Sequence, residues 1–317
     1  MTPLKFTLTP QTAFATPLKG DTLFGQLCWA ARHILGEARL NDVLQGYTDG
    51  KPYLVVSDAF PAGFLPMPKL PRHYWQFDDA QQDPSARKAL KKRQWLPVAA
   101  LSEPLGKWLE HARADVMTLH SDSRPHNTIN RATNTTGTGE FAPYTVEQTW
   151  YQAGQILELY VLLDETRLAA SELESLLNFV GASGFGRDAS TGLGKFTLAA
   201  LTPTPLPRGE GLAPNAWLTL APCAPQGLAW DNARCYYKPF TRFGRHGDAA
   251  AISCQPYKTP LLLADTAAIL SPRTMGKPGT MALFTGQGLG GDGSLSNALP
   301  QTVHQGYAPV IGICLPS

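Results

Sequence analysis

The sequence predicts an α/β (α+β) protein in which amphipathic helices alternate with short strands. Three observations indicate this class. Segments 23–35 and 173–180 place apolar side chains at helical spacing. Short apolar or alternating runs before and after them are typical of strands. The 29 Gly and 27 Pro residues predict that much of the remaining chain forms turns and loops.

The first 200 residues give a recognisable order of elements. A strand is expected at Leu4–Leu8, and a helix from Asp21, with Asp21 as its N-cap and Gly36 after its last turn. Later elements are strands at 52–57 and 63–66, an insertion over about 68–150 with a basic helix at 86–95, a strand at 156–163, a helix from 171 and a strand at 195–201. This β-α-β-β-α-β order predicts a ferredoxin-like or RRM-like unit.

Length and linker composition predict two domains. A chain of 317 residues has room for two cores. Residues 202–214 are rich in Pro and Gly, as linkers are. We therefore expect an N-terminal domain over 1–205 and a C-terminal domain over 206–317, the latter built from short strands (217–220, 235–240 and 310–315) and long loops.

Composition excludes several classes of protein. The chain is 43% hydrophobic and 16% charged, as expected of a globular protein, and its net charge of +2 does not by itself indicate nucleic-acid binding. Its five cysteines form no Cys-x-x-Cys pair, so neither a disulfide framework nor a metal site is expected. No apolar run has membrane-spanning length and no signal peptide is visible, so we expect a cytoplasmic protein. No cofactor is expected, because the Gly-x-Gly-x-x-Gly letters at 286–291 lack a βαβ context.

Residues 181–196, termed the glycine loop, run from the end of a predicted helix into a predicted strand. Glycines such as Gly184 and Gly186 permit close approach to the main chain, whose N–H groups can bind anions. Donor side chains lie between the glycines, and phosphate oxygens accept from such groups; they are Arg187, Ser190, Thr191 and Lys195. The loop is predicted to hold a polyanion; the alternative is an ordinary turn between helix and strand.

A second candidate segment is 124–131, which a Thr- and Gly-rich stretch follows. His126, Asn127, Asn130 and Arg131 are donors suited to an RNA backbone. A metal-free ribonuclease needs a general base near a 2′-hydroxyl and a cation on the phosphate. His126 with Arg131 meets that need minimally, although a lone loop histidine is more often structural.

The C-terminal half supplies further candidates. Residues 238–277 contain six Lys or Arg and two Asp, and Arg242 and Arg245 are candidate RNA ligands there. A solvated surface is the alternative. The loop with Gly286 and Gly288 is either a second phosphate-approach surface or a plain flexible loop.

In order along the chain, these motifs resemble the repeat-associated (RAMP) subunits of type III CRISPR effector complexes. More narrowly, they resemble the fourth-subunit family of Csm-type complexes, in the Cas-five-like group that holds the 5′ tag of the guide RNA. The segments that carry the resemblance are Lys19–Trp29, Val56–Pro68, His126–Arg131 with its hairpin to Phe141, the glycine loop, and Gly286–Ser294.

The resemblance implies two RRM-like domains, a thumb-like hairpin and no catalytic centre. It implies binding of guide RNA, contact with the large polymerase/cyclase-like subunit and with backbone RAMP subunits, and only indirect contact with target RNA; it implies no membrane. It also adds Lys19 and Thr22 to the candidate RNA ligands. The alternatives are a metal-independent endoribonuclease of repeat RNA, with His126, Tyr144 and Lys195 as candidate catalytic residues, and a scaffold that does not touch RNA.

Overall fold

The computed structural model describes residues 1–75, 84–199, 201–209, 213–274 and 282–316. The helices are α1 (Gly20–Ile34), α2 (Glu37–Leu44), α3 (Pro84–Lys91), α4 (Trp108–His111) and α5 (Ala170–Ser183). The strands are β1 (Thr2–Pro10), β2 (Leu54–Pro61), β3 (Phe64–Pro66), β4 (Trp95–Pro97), β5 (Leu119–His126), β6 (Tyr144–Tyr151), β7 (Leu157–Leu163), β8 (Phe196–Leu198), β9 (Thr202–Pro203), β10 (Ala216–Thr219), β11 (Pro239–Arg242), β12 (Leu261–Ala264), β13 (Ile269–Leu270), β14 (Phe284–Gly290) and β15 (Val303–Ile313).

The N-terminal half is built on an antiparallel sheet with strand order β2-β7-β1-β8, to which β9 adds against β1. Strand β1 alternates as expected and buries Leu4, Phe6 and Leu8 at 2% exposure or less. It pairs with β7 along most of its length and with β8 at its end, where Pro10 lies opposite Phe196. That end of the sheet therefore carries the glycine loop.

Helices α1 and α5 pack against each other and against the sheet. Helix α1 approaches β2 closely, since a Cβ at Gly20 would lie 2.2 Å from the carbonyl oxygen of Val56. Helix α5 begins at Ala170, and Glu172 accepts a hydrogen bond from the Ala169 N–H at 2.8 Å. The mixed α+β class and the expected element order of this half are confirmed.

The insertion holds short elements and one long hairpin. The basic helix ends at Lys91 rather than at 95, because Trp95 joins β4 and pairs with Pro66 of β3. Strands β5 and β6 form a separate antiparallel pair from Leu119↔Tyr151 to His126↔Tyr144. This pair is termed the β5–β6 hairpin, and its tip is 127–143.

The C-terminal half contains a four-stranded antiparallel sheet, β13-β10-β15-β14, and the two-stranded pair β11–β12. No α-helix occurs in its described parts, 213–274 and 282–316, so these residues lack the helices of an RRM-like unit. The segment with Gly286 and Gly288, expected as a loop, is strand β14 paired with β15.

The two halves share a continuous core. The side-chain amide of Gln305 in β15 brackets the main chain of Val56 in β2, with both hydrogen bonds at 2.8 Å. The Asp58 N–H also donates to the Leu220 carbonyl at 2.8 Å. The division at 205/206 stays a prediction. Among the described helices, none has the length and apolar character needed to cross a membrane.

Candidate nucleic-acid interface

The glycine loop folds back on itself. The Phe185 N–H donates to the Gly194 carbonyl at 2.9 Å. A Cβ at Gly194 would lie 2.1 Å from the Phe185 carbonyl oxygen, and one at Gly184 would lie 2.4 Å from the Leu193 oxygen. Both glycines also have positive φ, 74° and 100°. These two positions therefore require glycine for the loop's own closure.

The loop is also docked on residues 11–16. A Cβ at Gly186 would lie 2.5 Å from Cβ of Thr16, whose hydroxyl accepts from the Arg187 N–H at 2.9 Å. The Lys195 N–H donates to the Thr12 hydroxyl at 2.9 Å. Gly186 therefore packs against Thr16, although the sequence predicts that Gly186 approaches RNA.

Most main-chain donors of the loop already bond to protein oxygens. They are the N–H groups of Gly184, Phe185, Arg187, Thr191, Gly192, Leu193, Gly194 and Lys195. Contact of Gly184 and Gly186 with phosphate stays a prediction, but few main-chain donors of the loop remain for it. A buried N–H group needs a hydrogen-bond acceptor, and here the loop itself, helix α5 and residues 11–16 supply the acceptors.

The side chains of the loop face solvent instead. Arg187, Ser190, Thr191 and Lys195 are all exposed. The Arg187 guanidinium lies 3.2 Å from the Asp188 carboxylate, while the Thr191 hydroxyl donates to the Asp188 carbonyl at 2.8 Å. The acid of the loop therefore pairs with a neighbouring cation, and the loop presents two cations and two hydroxyls to solvent.

The β5–β6 hairpin is attached beside the loop. Phe14 and Thr149 exchange main-chain hydrogen bonds at 2.8 and 2.9 Å, and the Arg187 guanidinium reaches the Glu147 carbonyl at 3.4 Å. Along the hairpin the Arg124 guanidinium lies 5.6 Å from the Trp150 ring centre. The loop and the largely exposed hairpin thus form one continuous surface, termed the loop–hairpin surface.

His126 and Tyr144 face each other at the distal end of the hairpin. Their rings stack with centroids 5.6 Å apart and planes at 17°. His126 Nε2 is buried and has no hydrogen-bond partner among the described residues. At the tip, Asn127 and Arg131 are exposed, whereas Asn130 shapes a turn through its N–H to the Thr135 carbonyl at 3.0 Å.

Arg242, a candidate RNA ligand, is instead paired inside the protein. Its guanidinium donates to both carboxylate oxygens of Asp21, at 2.7 and 2.8 Å, and His304 Nε2 lies 3.4 Å from the same carboxylate. Burial alone would raise the pKa of Asp21, but the nearby His304 and the charge and hydrogen bonds of Arg242 hold that pKa well below its ordinary value. Asp21, expected as an N-cap, is thus the anion of a buried cluster.

Lys19 lies in a second ionic cluster nearby. Its ammonium is 2.8 Å from Asp265 and 3.4 Å from Asp58, and the Gly20 N–H donates to Asp58 at 2.8 Å. Burial raises the pKa of Asp58, with Lys19 partly offsetting the effect. Burial acts to lower the pKa of Lys19, yet the charges of Asp58 and Asp265 raise it above its ordinary value. RNA contact by Lys19 and Arg242 stays a prediction, but both cations already neutralise carboxylates.

The remaining candidates are scattered. Thr22 is half-buried and its N–H donates to Asp21 at 2.9 Å. Arg245 is exposed on the C-terminal half. A Cβ at Gly286 would lie 2.1 Å from the Gly306 oxygen, and one at Gly288 would lie 2.4 Å from the Tyr47 oxygen. Those two glycines permit close strand packing, and their contact with phosphate stays a prediction.

Sequence reasoning missed the two internal clusters. Asp58 is an acid inside an apolar strand, and that local anomaly is a signal that could have indicated a buried partner. Its partner Lys19 is 39 residues away in the chain and its partner Thr266 is 208 residues away. Within the described ranges, no group of three or more His, Cys, Asp or Glu could hold a metal ion.

Solved structures with a similar fold cover the whole chain. A chain of the Csm1–Csm4 cassette in complex with pppApA aligns over 99% of both chains, with a TM-score of 0.61 and 15% identity. The cassette in complex with cA4 gives 99% of both, 0.60 and 14%, and that with AMPPNP gives 99% of both, 0.57 and 16%. No protein-family model and no curated protein matches the chain in sequence. The resemblance to type III RAMP subunits is confirmed at the level of the fold that these chains share.

Proposed function

We propose that this chain is a non-catalytic RNA-binding subunit of a type III, Csm-like CRISPR effector complex. In this proposal it binds the 5′ repeat-derived tag of the guide RNA. It also anchors the large polymerase/cyclase-like subunit and the backbone RAMP subunits, and it meets target RNA only indirectly. The fold shared with chains of Csm1–Csm4 cassettes supports the assignment to such a complex.

The observation that carries RNA binding is the loop–hairpin surface. Its exposed cations Arg187 and Lys195 belong to the same loop as the exposed Ser190, whose hydroxyl can donate to phosphate oxygens. Single-stranded RNA is held by such contacts while its bases remain free for edge recognition or stacking. In this proposal the β5–β6 hairpin, which is attached beside the glycine loop, acts as a thumb against a bend in the guide strand.

We further propose that the N-terminal sheet with α1 and α5 is a ferredoxin-like RAMP domain. Numbered in chain order, β1, β2, β7 and β8 are the four strands of its β-α-β-β-α-β connectivity, and the order β8-β1-β7-β2 places the first strand centrally. The sheet β13-β10-β15-β14 would then be the core of the second domain.

The spacing of the candidate catalytic residues supports the absence of catalysis. Tyr144, opposite His126, lies five residues along β6 from Thr149, which pairs beside the glycine loop. Five strand residues span about 17 Å. Lys195 lies at the loop end of this span, and general acid–base catalysis requires its groups within hydrogen-bond reach of one reacting site.

The test uses the purified chain and a fluorescein-labelled guide RNA with its natural repeat-derived 5′ tag. We expect binding that weakens steeply with salt, and a weaker complex with a guide whose tag is scrambled. We also expect the large subunit to co-purify when co-expressed. Equal affinity for both guides together with no co-purification would refute the proposal.

A further inference from the structure

The pair β11–β12 continues beyond its strands as an extended ribbon. Arg245 and Tyr257 form a bridge, and the Lys258 N–H donates to the Gly244 carbonyl at 2.8 Å. We call residues 239–246 and 256–264 the C-terminal ribbon. Exposure alternates along residues 241–246: Arg242 and His246 turn inward, while Phe243 between them is 76% exposed. The register shifts by one residue between the pair Arg242↔Leu261 and the bridge Arg245↔Tyr257.

The outward face of the ribbon carries large side chains. Tyr257 is 71% exposed and Leu262 is 59% exposed. The register places Leu262 opposite the exposed Thr241, and Tyr257 opposite Arg245. The Arg245 guanidinium lies 5.7 Å from the Tyr257 ring centre. An exposed row of aromatic and cationic groups is thus held by the rigid pairing behind it.

Charge on this half indicates what the face can bind. No Glu follows residue 210, and the Asp residues nearest the ribbon are already paired, Asp265 with Lys19 and Asp248 with His33. The exposed Arg245 has no carboxylate partner among the described residues. A face that combines unneutralised cations with exposed rings fits a polyanion that carries planar groups.

We propose that the outward face of the C-terminal ribbon is a stacking platform for single-stranded nucleic acid. A base stacks on the Phe243 ring and another on Tyr257, while Arg245 contacts the phosphate between them. The ligand class rests on the proposed RNA-binding function, but the surface is distinct from the loop–hairpin surface. It would bind bases by ring stacking, whereas the loop–hairpin surface offers exposed cations to phosphate groups.

The test measures fluorescence anisotropy of labelled ten-nucleotide RNAs, U10 and A10, with the full chain. Phe243→Leu and Tyr257→Leu keep apolar volume but remove the ring face, and each should weaken binding roughly five- to a hundredfold. Phe243→Tyr should bind as the wild type does. Leu262→Ala is the matched control on the same face, and it should leave affinity unchanged. Because all these side chains are exposed, thermal unfolding should stay unaltered.

Three results would overturn the inference: no binding of either RNA by the wild type, unchanged affinity in both leucine variants, or an equal loss in Leu262→Ala. The last would show that affinity depends on general apolar contact and not on the ring faces. Binding of the tagged guide RNA is measured in parallel. If the wild type prefers the tagged guide and the ribbon variants bind U10 and A10 as the wild type does, this inference alone is refuted. If the wild type does not distinguish the tag but the ribbon variants bind U10 and A10 more weakly, the tag proposal alone is refuted.

Discussion

Arg242 forms a two-point ion pair with Asp21, with Nε 2.7 Å from Oδ2 and Nη2 2.8 Å from Oδ1. The pair joins α1 in the N-terminal half to β11 in the C-terminal half. Because side chains alternate along a strand, the inward turn of Arg242 sends its neighbour Phe243 outward. One short strand therefore ties the halves together on one face and offers a ring to solvent on the other.

Asp21→Asn should lower the free energy of unfolding by about 3 kcal/mol, because a buried guanidinium would lose its counter-charge. Urea unfolding at neutral pH measures the change. Asp42→Asn is the matched control, since Asp42 forms an exposed ion pair with Arg39, and we expect a change of under about 0.5 kcal/mol there. Equal stability of both variants would show that the buried pair contributes nothing.

The decrease in the free energy of unfolding at low pH should also depend on Asp21. Its folded pKa lies below the ordinary value, so its stabilisation is complete above about pH 4 and is lost as the pH falls further. The ionisable groups that interact with it are Arg242, His304, Lys258, Lys19 and Asp58. The contribution of Asp58 to the pH dependence of stability has the opposite sign, because its pKa is raised by burial and its ionisation therefore opposes folding.

We therefore expect the stability difference between wild type and Asp21→Asn to shrink between about pH 4 and pH 2. Urea unfolding at several pH values in that range measures it. Asp58→Asn removes the Asp58 contribution and should leave this trend in place. A difference that stays constant across the range would contradict the assignment of the low pKa to Asp21.

Local sequence patterns predicted the elements of the first sheet well. Leu4, Phe6 and Leu8 mark β1 by alternation, and Leu173 to Val180 mark α5 by helical spacing. The roles of the glycines could not be predicted this way. Whether Gly186 faces a ligand or Thr16 depends on how the distant segment 11–16 packs. A glycine in the sequence indicates only that a side chain would not fit, and it does not indicate which atoms fill the space.

The same limit applies to the candidate cations. Lys19, Arg242 and Arg187 are alike in sequence, but the first two meet acids from other elements, such as Asp58 and Asp21. A pairing across 221 residues leaves no local pattern. The cations of the glycine loop are exposed because the local chain itself lies at the surface, and their contact with RNA stays a prediction.

Gly186→Ala should destabilise the protein more than Gly192→Ala. Both positions have positive φ, 79° and 95°, so each variant has a backbone cost of about 1–2 kcal/mol. Only at Gly186 would the new methyl also collide with Thr16, whereas no atom lies within 4 Å of the position at Gly192. Thermal unfolding measures both. Equal effects would mean that the loop does not depend on its contact with Thr16.

Arg187→Ala and Lys195→Ala should each weaken guide-RNA binding irrespective of sequence. Each loss should reduce the slope of log affinity against log salt by about 0.7, the value for one phosphate contact on a single strand. Lys51→Ala is the control, because this exposed lysine precedes β2 at the end of the sheet opposite the glycine loop. A loss confined to one tag sequence, with an unchanged slope, would instead indicate base recognition.

His126 should act as a positioning residue, because its ring stacks on Tyr144 at 5.6 Å and Tyr144 lies about 17 Å along β6 from Thr149, which pairs with Phe14 beside the glycine loop. We expect wild-type protein to leave repeat RNA intact in the presence of a chelator. His126→Ala should reduce tag affinity by about 1 kcal/mol, the scale of one ordinary hydrogen bond. Tyr144→Leu removes the stacked ring while keeping an apolar side chain, and should produce a similar small loss. General acid–base catalysis contributes about 10²–10⁴-fold, so metal-independent cleavage by the wild type that His126→Ala abolishes would establish an endoribonuclease instead.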